Sequence, residues 1–210
     1  APWATSGLLN NELSLMIERI WQSQACDDAR AELIARELGV LPVTARLLCL
    51  RGFGDPVVAD RFLNPSLDHL HDPFLLTDMD RAVARLERAL ANGERIAVHG
   101  DYDVDGITST VILRRALEML GGKVMHFIPE RLRDGYGLQP AAIDRLHADK
   151  VDVIVSVDCG IRGNDAAQRA RELGIDLIIT DHHEPEGTLP DAVAVINPKR
   201  TDCTYPEKML

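Results

Sequence analysis

The stretch VHGDYDVDGITST, residues 98–110, decides how the rest of the chain is read. It places Asp101, Asp103 and Asp105 at every second position, directly after the apolar run RIAVH (95–99). A glycine and small or branched residues follow. Three carboxylates at that spacing repel one another, the more so the less water surrounds them. Either the segment is a solvated turn, for which Asp and Gly are common residues, or positive charge sits among them.

Working outward from residue 98, the chain alternates between two periodicities. Strand RIAVH (95–99) is followed by helix STVILRRALEMLG, strand KVMHFIP, helix PAAIDRLHAD, strand VDVIVSVD, helix NDAAQRARELG, strand DLIITD and strand AVAVIN. Before them, DMDRAVARLERALANG is an amphipathic helix closed by Gly93. Continuous apolar strands alternating with helices predict an α/β fold with a parallel sheet and helices on both faces. Ligands of such sheets bind at the carboxyl ends of the strands. Applied here, that rule collects His and Asp from three strands at one edge. RIAVH ends at His99 and runs into the aspartates, VIVSVD ends at Asp158, and DLIITD ends at Asp181, His182 and His183.

The N-terminal third reads differently. Residues 1 to about 77 are expected to form short helices, such as ACDDARAELIARELG ending in Gly39 and DPVVADRFL with Pro56 at its first position. NPSLDHLHDPFLLTD is a proline-punctuated connector. The expected division is a helical lead-in over 1–77 and an α/β domain over 78–210.

Bulk properties narrow the class. Hydrophobic content of 46% and charged content of 27% are those of an ordinary soluble globular protein. No apolar run approaches the roughly 20 residues of a membrane span, and the start lacks the basic and apolar regions of a signal peptide. Cys26, Cys49, Cys159 and Cys203 form no CxxC pair, which argues against a zinc ribbon and for reduced thiols in the cytoplasm. The formal charge of −10 is unusual for a nucleic-acid binder. A carboxylate cluster built for cations accounts for part of it.

Several readings of GDYDVDG compete. An EF-hand loop needs Glu at its twelfth position, but counting from Asp101 that position is Ile112. No GK[ST] follows to make a P-loop. An aspartyl-phosphate phosphatase of the haloacid dehalogenase type stays as an alternative, although its nucleophile should end the strand directly and it leaves His182 and His183 without a role. A two-metal site needs a bridging carboxylate and several Asp or His ligands. His99, Asp103, Asp105, Asp158 and His182 supply that set, and mixed imidazole and carboxylate suits manganese while tolerating magnesium.

The motifs HGDYDVDG (99–106), VSVDCG (155–160) and TDHH (180–183) resemble the DHH phosphoesterase family. IPERLRDGYGL (128–138), AVINPKRTDCTYP (194–206) and the lead-in FLNPSLDHLHDPFLLTDMDRAV (62–83) narrow the resemblance to its RecJ-type branch, 5′→3′ exonucleases specific for single-stranded DNA. It covers about residues 27–210. The resemblance implies two divalent cations, manganese preferred. His99 and Asp103 would hold the first, Asp105 and His182 the second, and Asp158 would bridge them. Asp181 and Asp101 would orient the site, and His183 would touch the scissile phosphate. It also implies a role in DNA repair and recombination, with single-strand-binding protein and a helicase as partners. The family's fourth motif and second domain are not matched. The chain is therefore expected to be the N-terminal part of a longer protein and to be inactive alone. Two further readings stand beside the exonuclease: a DHH hydrolase of small substrates, and a non-catalytic nucleic-acid-binding module, against which the intact motifs argue.

Outside the cluster, Arg131, Arg133 and Tyr136 follow a strand, so their loop is expected at the same sheet edge. Arg clamps phosphate and Tyr stacks on bases, although a salt-bridged loop explains them equally well. Thr108, Ser109 and Thr110 are expected to open a helix, capping it or presenting amides to phosphate. His69, His71, His126, His147 and Cys159 read as packing or solvent residues.

Overall fold

The computed structural model describes residues 24–208, without the side chains of Arg131 and Leu132. The first 23 residues of the expected lead-in therefore lie outside it. Two compact units divide between Leu70 and His71.

The first unit is a small helical cluster. Helix α1 (Asp28–Leu38) is capped by the Asp27 side chain and closed by Gly39 at φ 64°. Helices α2 (Pro42–Leu50) and α3 (Pro56–Leu63) both begin with proline, whose missing N–H costs nothing there. Ile34, Ala45, Leu48 and Ala59 are buried between them.

The second unit is the expected α/β layer structure. Helix α4 (Met79–Asn92) leads into β1 (Arg95–His99), α5 (Val104–Met119), β2 (Lys123–Phe127), the short α6 (Arg131–Asp134), α7 (Pro140–Ala148), β3 (Val153–Val157), α8 (Asn164–Glu172), β4 (Asp176–Thr180) and β5 (Ala194–Ile196). The five strands lie in the order β2-β1-β3-β4-β5, every neighbouring pair parallel. Alternate strand residues serve opposite faces. Ala97, Ile154, Leu177, Ile179 and Val195 pack on α7 and α8. Ile96, Val98, Val153, Val155 and Ile178 pack with Ala82 and Ala89 of α4 and Leu117 of α5. Both faces are covered, so the strands must be apolar throughout, which is the pattern read from the sequence. No helix among the described residues is long and apolar enough to cross a membrane.

Strand β1 has β2 on one side and β3 on the other. The chain therefore turns in opposite directions from β1 and from β3. Their carboxyl ends flank the crevice where open α/β sheets bind ligands.

Two boundaries differ from expectation. Helix α5 starts at Val104 and not near Ser109, because the Asp103 carboxylate accepts the amides of Asp105 and Gly106 at 3.0 Å each. Thr108, Ser109 and Thr110 thus lie inside the helix. The Thr108 and Thr110 hydroxyls donate back to the carbonyls of Val104 and Gly106. The other boundary concerns residues 71–77. They belong to the α/β unit: the Thr77 hydroxyl donates to the Asp202 carbonyl, Thr204 donates to the Leu75 carbonyl, and His71 lies edge-on to Tyr205.

The segment after β5 clamps the start of α4. Arg200 is 8% exposed. It donates to Asp78 at 2.8 Å, to both Asp202 oxygens at 2.7 and 2.9 Å, and to the Val195 carbonyl. Asp78 also accepts the Val195 amide at 3.1 Å. Burial alone would raise the Asp78 carboxyl, but these donors hold it below the usual carboxylate range. Removing Asp78 leaves a buried guanidinium short of a partner, which costs about 3 kcal/mol. Asp202 is largely exposed, and its loss costs about 1 kcal/mol or less. In urea unfolding, Asp78→Ala should lower the midpoint clearly more than Asp202→Ala, with m unchanged in both.

Candidate metal centre

The site starts from three strand ends. Strand β1 stops at His99, and Gly100 to Asp103 turn the chain into α5. Gly100 and Gly106 make this turn possible. A Cβ on Gly106 would stand 2.4 Å from the Asp101 backbone nitrogen and 2.5 Å from its carbonyl oxygen. Backbone atoms have nowhere to move, so only glycine allows the first turn of α5 to lie on the loop. Asp103 caps the helix, and Asp105 sits in its first turn, where the helix dipole favours negative charge.

Strand β3 ends in Asp158, whose φ of 61° is left-handed. That conformation costs a non-glycine residue on the order of 1–3 kcal/mol and recurs at functional sites. The Asp158 amide still donates to the Thr180 carbonyl at 3.0 Å. Strand β4 ends in Asp181, His182 and His183. Asp181 is buried and acts as a hub. It accepts the amides of Ile161 (2.9 Å), His182 (2.7 Å) and His183 (3.1 Å), and lies 2.7 Å from His183 Nδ1.

The structure brings most of the sequence candidates together. His182 Nε2 is 3.0 Å from Asp158 Oδ1. One donor atom each from Asp158, His182 and His183 lie within 4.8 Å of one another. Asp105, Ser109, Asp158, Thr180, Asp181 and His182 line one cleft of about 440 Å³. Burial raises the Asp158 carboxyl to about 6, and the charge and hydrogen bond of neighbouring Asp103 add to the rise. Asp103 itself is held low, first by the Gly106 amide. Asp101 is buried, its Oδ1 accepting the Tyr102 amide at 2.7 Å.

His99 is fully buried, its ring stacked on Phe127 at 5.3 Å and its Nδ1 3.6 Å from Cys159 Sγ. Burial lowers its pKa to about 4, so at neutral pH the ring is uncharged, the form that ligates metals. Among the described residues, three buried atoms on or next to the ends of β1 and β3 lack a partner: His99 Nε2, Ser156 Oγ and Asp158 Oδ2. Orphaned buried acceptors cost about 1–3 kcal/mol each. Unpaired acceptors beside facing carboxylates fit a divalent cation centre of mixed N and O donors.

The loop after β2 contributes one candidate directly. The Tyr136 hydroxyl is 3.3 Å from His183 Nε2. Burial and the charges of Asp101, Asp181 and Asp158 raise its pKa. Arg133 is taken up by Asp134 and Glu130, and no hydrogen bond or ion pair among the described residues joins it to the carboxylates. The Arg131 side chain lies outside the described residues. His126 sits on β2 beside Arg114, its Nδ1 3.1 Å from the guanidinium, and His147 is on the exposed side of α7. Sequence reasoning missed Asn197, which ends β5 and donates to the His183 carbonyl at 2.9 Å. Its place at a fourth strand end was the available signal. The haloacid dehalogenase alternative fails on geometry, since the residue ending β1 is His99 and not an aspartate.

Comparison with known proteins agrees with this geometry. The model of the DHH family, N-terminal domain, matches residues 95–205. The single-stranded-DNA-specific exonuclease RecJ of Bacillus subtilis is 38% identical over 190 residues, covering 90% of this chain and 24% of that protein. The Escherichia coli protein of the same name is 40% identical over 170 residues, covering 80% and 29%. The crystal structure of RecJ in complex with Mn2+ from Thermus thermophilus superposes with a TM-score of 0.65 at 35% identity, covering 86% of this chain and 24% of that one. The chain thus spans about a quarter of the length of these relatives.

The tight approach at Gly106 gives a direct test. Gly106→Ala should force the Asp101–Asp103 loop off α5 and lower manganese affinity by about 10–100-fold, the range for supporting residues of metal sites. Calorimetry with manganese checks this, and far-UV circular dichroism should show the fold retained. Unchanged affinity would mean that the loop has slack.

Proposed function

This chain belongs to the DHH family, and on that premise we propose that it carries the metal centre of a 5′→3′ exonuclease that hydrolyses phosphodiester bonds of single-stranded DNA. The observation that carries the reading is the meeting of Asp103, Asp158 and His182 at the crevice between strand ends, with His99 Nε2 and Asp158 Oδ2 buried and unpaired. The similarity to single-stranded-DNA-specific exonucleases supports the substrate, and the manganese of the Thermus thermophilus complex supports the metal.

In this reading His99 and Asp103 would hold one divalent cation, Asp105 and His182 would hold a second, and Asp158 would serve both. Manganese is preferred and magnesium is accepted. Two such ions supply positive charge to the phosphoryl oxygens and lower the pKa of water toward neutrality. The chain's own residues do the rest. Asp181 fixes the backbone of the His182–His183 turn and the ring of His183. His183 would touch the scissile phosphate. Tyr136, 55% exposed beside it, offers a ring face for a base. Asp101, buried and turned onto its own loop, orients Asp103.

For the whole protein the proposed partners are single-stranded DNA, a single-strand-binding protein and a helicase, acting in repair and recombination in the cytoplasm. All four cysteines are free, as a reducing compartment requires.

The test uses the full-length protein, manganese and a labelled 5′-phosphorylated single strand. Asp158→Ala should bring hydrolysis below detection, because the bridging carboxylate serves both ions. Asp101→Ala should leave a measurable rate. Equal loss in both variants would make Asp101 a ligand and shift the assignment of the loop by one step.

A further inference from the structure

His183 is held from two sides. On one side Asp181 accepts at every contact, from the Ile161, His182 and His183 amides and from the imidazole. The ring nitrogen facing it, Nδ1 at 2.7 Å, is therefore the one that carries hydrogen. In the singly protonated ring the lone pair then lies on Nε2. On the other side that nitrogen meets the Tyr136 hydroxyl at 3.3 Å. The chain carboxylate–imidazole–hydroxyl runs Asp181, His183, Tyr136.

Tyr136 is itself fixed in place. It lies between Gly135 and Gly137, at φ 79° and 74°, two left-handed positions that side chains avoid. The Gln139 side-chain Nε2 donates to the Tyr136 carbonyl at 2.7 Å. At the start of the loop, Asp134 accepts the Glu130 amide at 2.9 Å and pairs with Arg145 at 2.9 Å, tying the loop to α7. The Tyr136 ring stands edge-on to both His183 and Tyr102, with centroids 6.4 and 6.2 Å away. A cavity of about 240 Å³ opens beside Tyr136, Ile161, Arg162 and His183.

We propose that Tyr136 is a positioning residue for His183: its hydroxyl donates to Nε2 and, with Asp181, fixes the tautomer and orientation of the imidazole. This rests on the reading above in which His183 meets the phosphate, and it separates two jobs in one side chain. The ring of Tyr136 contacts substrate, and its hydroxyl sets the histidine.

Tyr136→Phe keeps the ring and removes the hydroxyl. In the full-length protein it should lower kcat by roughly 3–10-fold, the worth of one hydrogen bond, with KM little changed. Tyr136→Ala should raise KM as well. The second measurement needs no substrate. In the metal-free, 15N-labelled 210-residue chain, the His183 ring nitrogens should report a single Nδ1–H tautomer, and Tyr136→Phe should move the Nε2 resonance toward a tautomer mixture. Unchanged imidazole resonances, or an unchanged kcat in Tyr136→Phe, would overturn the proposal. Failure of the wild type to digest single strands would instead overturn the proposed function, while the resonances still decide the tyrosine contact.

Discussion

Two carboxylates face each other across the crevice between β1 and β3, and much of the α/β unit serves to hold them there. Asp103 and Asp158 repel when both are charged. The fold manages this by treating them unequally. Asp103 sits at the N-terminus of α5 and takes two backbone amides, so it keeps its charge. Asp158 is left with one buried, unpaired oxygen in a left-handed backbone, and its carboxyl is pushed up to about 6. The pair concentrates negative charge that a cation would neutralise. Removing Asp103 would relieve the repulsion and would also uncap α5. Site and scaffold share the same atoms.

Rigidity around that pair comes from both faces and from below. The Gly106 contact locks α5 onto the loop after β1. Asp181 locks the turn after β4 onto the Ile161 amide of the turn after β3. Away from the site, Arg85 bridges α4 to Glu94 and to Asp176 at the start of β4, and Arg200 ties the segment after β5 to Asp78. The sequence NPKRTD, which read only as part of a family resemblance, is a structural clamp. Arg200 is spent on Asp78 at the start of α4 and on Asp202, and Lys199 pairs with Glu184 at 3.4 Å.

The fold class was legible because a parallel sheet covered on both faces needs unbroken apolar strands, and RIAVH, VIVSV and DLIIT are unbroken. The meeting of Asp158 and His182 was legible for the same reason: strand ends of a parallel sheet share one edge. The start of α5 was not. A side chain decided it, with Asp103 capping the helix six residues before Ser109. The fate of Arg133 was legible only as one of two equal readings, since its pairing with Asp134 depends on how a four-residue helix turns. Asn197 and the Tyr136 hydroxyl act through contacts with His183 over 14 and 47 residues of sequence; a strand end hints at the place of the first, and no local pattern announces the second.

The order of the strands has a consequence for how the molecule comes into being. The proposed ligands lie near residues 99–105, 158 and 182, and they meet only where β1 pairs with β3 and β3 with β4. Parallel pairings of that sequence separation form late and slowly. A cation has little to hold until the sheet stands, so it cannot serve as a template for folding. It arrives at a finished frame and then stabilises that frame by mass action, because it binds the native state and not the open chain. The buried strands beneath the carboxylates have to hold that frame against the repulsion of their charges.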